Sequence, residues 1–492
     1  MSESATPVPA SPPRAARENV ILALACLGQF MVVLDVAIVT VALPAMRRDL
    51  HFSATGLQWV VNAYTLTFAG FLLLGGRAAD LYGRRRIFIA GLTLFTTASL
   101  GCGLAPSAGA LVAARAVQGL GAAVLSPATL TILTTTFTEP RARARALGIW
   151  SAALASGGAT GALFGGILTD YLSWRWIFLV NVPVGVVGLV AARAALVESR
   201  ATLASRSLDV AGALTITGSL TALVYGVVRT DTEAWGSAAT LSALAVAAVL
   251  AGAFVLIEAR LARAPLVPLG LLRSRALAGA NLAMFCVGGS MFAMWYFVSL
   301  YLQGVLGESP LEAGLDFLPA SIAVIIGAQL SARLVSRLGP RPPLVAATLL
   351  CAGGLVWMSQ LSATGTYARD ILGPLVLVAF GLGLSFPPAT YAATAGVAPK
   401  DAGLASGLVN TTRQLGGAIG LAALATIAVD RTKDVLAGSA PSAGLVERAL
   451  TAGYERAFLV AAAIALAASL LSFVIPATPR ARSEAAAPVA ES

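Results

Sequence analysis

Apolar residues run in long blocks along this chain, and short polar segments punctuate them. A bilayer core about 30 Å thick needs about 20 apolar residues per helical crossing. Fourteen blocks meet that length, at approximately 20–44, 57–76, 87–105, 109–133, 146–168, 177–197, 208–228, 239–259, 276–303, 312–333, 343–361, 371–395, 403–429 and 457–476. The pattern predicts an all-α polytopic membrane protein with fourteen transmembrane helices. Residues 1–19 and 479–492 are polar and read as disordered cytoplasmic tails. The apolar run that follows the first tail is too long for the core of a signal peptide.

The basic residues give the orientation. With the N-terminus in the cytoplasm, 22 of the 33 Lys and Arg fall in cytoplasmic segments and nine in external ones. Arg115 and Arg413 lie within spans. This bias predicts a cell-membrane protein with both termini cytoplasmic. It also accounts for the net charge of +10 without nucleic acid, since no basic run is interleaved with aromatics. Composition agrees: 58% of residues are hydrophobic and 11% are charged, against about 25% charged in a soluble domain.

An internal echo divides the chain. "GLGAAVLSPAT" from Gly119 is answered by "GLGLSFPPAT" from Gly381, and "GRAADLYGRR" from Gly76 more faintly by "ARLVSRLGPR" from Ala332. The expected plan is two pseudo-symmetric six-helix halves, 20–200 and 266–478, with a two-helix insert at 201–265. Two such halves around a central site are a transporter architecture.

Little else suggests chemistry. Cys26, Cys102, Cys286 and Cys351 lie in apolar runs without metal-ligand spacing, and His51 lies in a loop. No metal site, enzyme constellation or P-loop is present, so the chain reads as no enzyme and ATP does not drive it. No cofactor is expected.

The loop "GGRAADLYGRRR" offers a tight turn at Gly76 and Gly83, and an Asp80 able to pair with an arginine. It is a conformational latch or a plain topology loop. Gly76, Asp80, Gly83, Arg84 and Arg85 resemble motif A of the major facilitator superfamily. "LDVAIVTVALP" (Leu34 to Pro44), "QWVVNAYTLTFA" (Gln58 to Ala69), "RAVQGLGAA" (Arg115 to Ala123), "SWRWIFLVNVPVG" (Ser173 to Gly185), "YLQGVLGESPLEAG" (Tyr301 to Gly314) and "NTTRQLGGAIG" (Asn410 to Gly420) resemble its fourteen-spanner drug:proton antiporters of the QacA/EmrB type. The resemblance covers nearly the whole chain outside the tails and the insert. It implies export by alternating access, with the proton gradient as energy source.

Two departures stand out. The antiporter motif C usually has Gly-Pro where this chain has Gly161-Ala162. Gly157, Gly161, Gly165 and Gly166 remain, and the first three share one helix face that permits close packing. In the second copy of motif A, Ser336 stands in place of the aspartate.

Asp35 sits in the first span, about 14 Å along the helix from Pro44 at 1.5 Å per residue. A carboxylate there costs about 2.5 kcal/mol or more. It is either a group that exchanges a proton with a cationic cargo, or a structural Asp locked to a buried partner. Arg115 in span 4 is the natural partner, Gln118 follows on the same face, and Arg413 in span 13 has no evident acid. The Met/aromatic cluster "MFAMWYF", which holds Trp295 and Tyr296, joins Asn62, Tyr64, Gln118, Asn281 and Gln303 as candidates for the substrate cavity. Pro319, Pro387 and Pro388 are expected to kink their helices, and Asp316 lies near the end of span 10.

The expected function is proton-coupled efflux of small amphipathic drugs or dyes, cations included, by a monomer in the lipid bilayer. A dedicated exporter of one metabolite or antibiotic is the alternative within transport. A non-transporting membrane sensor of the same fold is the alternative outside it.

Overall fold

The computed structural model describes residues 14–200, 207–230, 233–398, 401–437 and 442–477. Helices account for the regular structure, with no strand among the described residues. The first group is α1 (Arg14–Leu50), α2 (Trp59–Tyr82), α3 (Arg84–Gly103), α4 (Ala108–Thr136), α5 (Pro140–Tyr171), the short α6 (Trp176–Leu179) and α7 (Asn181–Ala195). A hairpin of α8 (Val210–Arg229) and α9 (Ala238–Leu256) follows. The last group is α10 (Arg275–Gly304), α11 (Pro310–Asp316), α12 (Leu318–Leu338), α13 (Arg341–Met358), α14 (Leu372–Thr394), α15 (Ala402–Leu436) and α16 (Ala443–Ser472).

Among the described residues, thirteen segments are long and apolar enough to cross a bilayer. A fourteenth, α5, is bent by 40° between Gly158 and Thr160. The fourteen-span expectation is met. The helix ends follow local chemistry. Side chains of Ser107, Asp209, Ser237, Ser274 and Ser442 accept bonds from backbone N–H groups in the first turns of α4, α8, α9, α10 and α16. Ser309 and Glu312 form a capping box on α11, and Pro319 falls where α11 gives way to α12. Pro387 and Pro388 lie within α14.

The start of the bundle differs from expectation. Helix α1 already runs from Arg14, so residues 14–19 are helical rather than tail. Arg17 explains part of this: its Nε donates at 2.9 Å to the carbonyl of Ala195, an otherwise orphaned acceptor at the end of α7. The rest of that tail and the tail expected at 479–492 lie outside the described residues.

Within the first group, α1 packs on α4, α5 and α7, and α4 on α2 and α3. Within the last, α10 packs on α14, α15 and α16, and α14 on α12 and α13. Lipid is as apolar as leucine, so such packing rests on close approach rather than on exclusion of water. Small residues permit it: α10 and α15 meet along Gly288, Gly289, Gly416 and Gly420. The α8–α9 hairpin leans on α2 and α15 from outside. Only 11% of the apolar window of α9 is buried, against 72% for α10.

The turn between α2 and α3 is set by Gly83, with φ +109° and ψ +131°. An L-residue strains there, and a Cβ would also press on the Glu198 carboxylate. Gly83→Ala is expected to cost about 1–2 kcal/mol. It should lower the midpoint of thermal unfolding in detergent; an unchanged midpoint contradicts this.

Candidate functional site

Asp35 and Arg115 come together. Asp35 on α1 is fully buried and Arg115 on α4 is 1% exposed. Arg115 Nη1 donates to Asp35 Oδ2 in an ion pair. Gln118, one turn after Arg115, donates from Nε2 to Asp35 Oδ1 at 2.7 Å and accepts from Arg115 Nη1 at 2.8 Å on Oε1. Both carboxylate oxygens are therefore engaged.

The surround holds this trio in place. Arg115 Nε donates to the carbonyl of Val60 on α2 at 2.9 Å. Its guanidinium lies 4.3 Å from the ring centroid of Tyr64 and 5.6 Å from that of Phe178. Gln118 Nε2 also donates to Ser99 Oγ on α3 at 3.1 Å, and Asn181 Nδ2 on α7 donates to the same oxygen at 3.2 Å. Ser99 Oγ in turn donates to the carbonyl of Phe178 on α6 at 2.9 Å, so six helices contribute groups to one buried polar network. Ser99 and Asn181 were not singled out from sequence. Asn181 carried a usable signal as an amide in an apolar span; Ser99 carried none.

Arg413 on α15 has only neutral company. Nη2 donates to Asn410 Oδ1 at 3.0 Å, Nη1 lies 3.6 Å from Met291 Sδ, and the Phe386 ring centroid is 5.8 Å away. Its Nε is buried without a hydrogen-bond partner.

The motif A residues stay within the first group of helices. Arg84 Nη2 pairs with Asp80 Oδ1 at 3.1 Å, Arg85 Nη2 donates to the carbonyl of Arg193 at 2.9 Å, and Gly76 faces Pro127. On α5, a Cβ on Gly161 would lie 2.5 Å from Ala37 Cβ, and one on Gly165 2.6 Å from the carbonyl oxygen of Ile38. Gly157 likewise faces Phe30 on α1. Gly166 turns to α11 instead, where a Cβ would lie 2.5 Å from the carbonyl oxygen of Pro310. Gly314 returns that contact onto the carbonyl of Ala162.

These last contacts lie at the end of the bundle away from the α2–α3 turn, here termed the far end. The hydrogen bonds joining the two groups of helices are there as well, among the described residues. Ser299 Oγ donates to the carbonyl of Thr40, and Gln303 Nε2 to that of Val41, both at 2.8 Å. Gln58 and Asn62 are fully buried near the same end, and all four of their side-chain amide atoms lack partners. The conformation is closed at the far end.

The other candidate cavity residues are dispersed. Trp295 packs on Phe317, and Tyr296 on Phe297. Asn281 Oδ1 accepts from Thr412 Oγ1 at 2.8 Å. With Tyr64 and Gln118 in the Asp35 network, Asn62 orphaned and Gln303 in the far-end seam, these residues do not form one lining in this conformation. A cavity of about 740 Å³ does open between α2 and the α8–α9 hairpin, beside Trp59, Thr217, Tyr225 and Val246. None of the sequence-derived site residues lines it.

The far end carries a titrating group outside the spans. Burial, then the carboxylates of Asp316 and Glu312, push Glu308 from its ordinary 4.5 up to about 8. The folded chain then keeps a proton that the unfolded chain has lost. That contribution to stability is complete below about 4.5 and disappears as pH rises through about 8. Thermal stability should therefore fall between about pH 5 and pH 8 and level off above that, and Glu308→Gln should flatten the fall. An equally steep fall in the variant contradicts this.

The chain is similar to known transport proteins. The model of the Major Facilitator Superfamily matches residues 25–421. The cephamycin export protein CmcT of Amycolatopsis lactamdurans is 45% identical over 93% of this chain and 93% of its own length. The puromycin resistance protein pur8 of Streptomyces alboniger is 39% identical over 91% of this chain and 89% of its own. Among solved structures, a bacterial homolog of the human lysosomal transporter Spinster, in an inward-facing and unoccupied conformation, superposes with a TM-score of 0.65. It is 17% identical, with 95% of this chain and 98% of that one covered, and so supports the fold. A polytopic bundle with a superfamily match over most of its length, and with export and resistance proteins aligned nearly end to end, belongs to the Major Facilitator Superfamily and is one of its efflux transporters rather than an enzyme.

Proposed function

We propose that this transporter exports small amphipathic molecules across the cytoplasmic membrane in exchange for protons. The observation that carries the proposal is the buried Asp35–Arg115–Gln118 network. A carboxylate inside a membrane, tied to a guanidinium, has two arrangements: paired and charged, or protonated and released. Conversion between them needs water or a proton to reach a sealed site, which ties protonation to opening of the bundle. With both termini cytoplasmic, the far end is external and the present conformation is closed to the outside. Opening the other way would separate α5 from α11 and α2 from α15. It would also hydrate the orphaned amides of Gln58 and Asn62.

Asp35 is not free to hold a cationic cargo in this conformation, because both its oxygens are in use. The cargo is therefore placed apart from the proton site. A narrow substrate range is the second form of the proposal, favoured by the 45% identity to a protein named for export of cephamycin.

The test is efflux of puromycin, ethidium and dansyl-leucine from energised cells expressing the chain, with and without a protonophore. Export of a panel member that collapses with the gradient is expected. Export that survives the protonophore would sink the proton-coupled mechanism. Export of one panel member alone would favour the narrow form.

A further inference from the structure

Of the charged side chains set deep in the core spans, among the described residues, two neutralise each other and one does not. Arg115 is matched by Asp35. Arg413, the twelfth residue of α15, pairs with no carboxylate among the described residues. A guanidinium keeps its charge under all ordinary conditions and is costly to bury unpaired. Its neighbours blunt that cost only weakly: an amide oxygen at 3.0 Å, a thioether sulfur at 3.6 Å and an aromatic face at 5.8 Å. The buried Nε has no partner at all.

These neighbours have a second property. Met291 comes from α10, Phe386 from α14, and Asn410 and Arg413 from α15. Three helices of the last group thus bring together a planar cation with an unused donor, an amide, a polarisable sulfur and a ring. The guanidinium fork matches a carboxylate bidentately. Methionine and phenylalanine suit an apolar or aromatic body beside it.

We propose that Arg413 is the anchor of a substrate site for amphipathic carboxylic acids. The carboxylate would take Arg413 Nε and a terminal nitrogen, and the apolar body would lie against Met291 and Phe386. The exported class is then anionic rather than cationic. This rests on the exporter reading above but not on its proton coupling. A counter-ion delivered by the cargo also explains why the chain places no acid beside Arg413 while it provides one for Arg115.

The experiment is equilibrium binding to the detergent-purified full chain, read by energy transfer from tryptophan to dansyl. Three probes share one fluorophore: dansyl-leucine is a carboxylate, dansyl-leucinamide is neutral and dansylcadaverine is a cation. The wild type should bind dansyl-leucine about tenfold or more tightly than the amide, and the cation most weakly. Arg413→Gln should erase the preference for the acid, and Arg413→Lys should keep part of it. The acid–amide comparison on wild type stands even if a variant fails to fold. Equal binding of acid and amide, tighter binding of the cation, no binding of any probe, or an acid preference that survives Arg413→Gln overturns the assignment. Binding is measured without a gradient, so the two proposals fail separately. Acid-selective binding without protonophore-sensitive efflux refutes the coupling alone. Protonophore-sensitive efflux without acid preference refutes the anion site alone.

Discussion

Asp35→Asn is expected to abolish uphill export while sparing exchange of substrate down its own gradient. Asparagine keeps the shape of the carboxyl and can still accept from Gln118, but it cannot take up or release a proton. If Asp35 carries the coupling, the variant is frozen in an analogue of the protonated state. Accumulation against a gradient then falls to background in energised cells. Whichever panel member the wild type exports still equilibrates across vesicles reconstituted with the variant. The variant has a structural cost too, since Arg115 loses its counter-charge. Breaking a buried ion pair costs about 3–5 kcal/mol. The bonds of Arg115 to Val60 and Gln118 and its position over Tyr64 remain, which places the loss at the low end. Full uphill export by a folded Asp35→Asn variant would remove the aspartate from the mechanism.

Gly166→Val is expected to produce the second large effect, by propping the far end open. A Cβ on Gly166 would approach the Pro310 carbonyl oxygen to 2.5 Å and Leu311 Cα to 2.9 Å, both backbone atoms. The partner cannot retreat easily, because the capping box of Ser309 and Glu312 fixes the start of α11. Valine therefore holds α5 and α11 apart, and the cycle stops with the far end unsealed. Export should drop by at least tenfold. The state itself can be read from Asn62, which is fully buried here. An Asn62→Cys variant should react slowly with a maleimide, and rapidly once Gly166→Val is added. Equal rates would show that the α5–α11 contact does not gate this seam.

Much of the bundle was legible in the sequence because the bilayer imposes one crude rule, a run of apolar residues of fixed length. That rule finds α1 to α16 as fourteen crossings but is blind to their ends. Helix α1 extends back to Arg14 for a reason outside its own sequence, the bond from Arg17 to α7. The Asp35–Arg115–Gln118 trio was legible because charges this deep are few and Arg115 and Gln118 are three residues apart on one helix. Ser99 and Asn181 complete the network from other helices, which no local spacing reveals. The glycines of α5 read as a packing face, and three of them are one. That Gly166, one residue around the helix, faces α11 instead depends on a partner some 145 residues away. For Arg413 the sequence offered the missing acid, while Met291, Phe386 and Asn410 needed the fold to assemble around it.

The central claim is that the Asp35 carboxyl exchanges a proton while Arg115 alternates between holding and releasing it. Infrared difference spectroscopy of the membrane-reconstituted chain, titrated with acid, measures this directly. A protonated-carboxyl band that grows with acidification in the wild type and is missing from Asp35→Asn is the predicted result. A wild-type spectrum that matches the variant across the whole range in which the protein stays folded would show Asp35 locked to Arg115, and would contradict the claim.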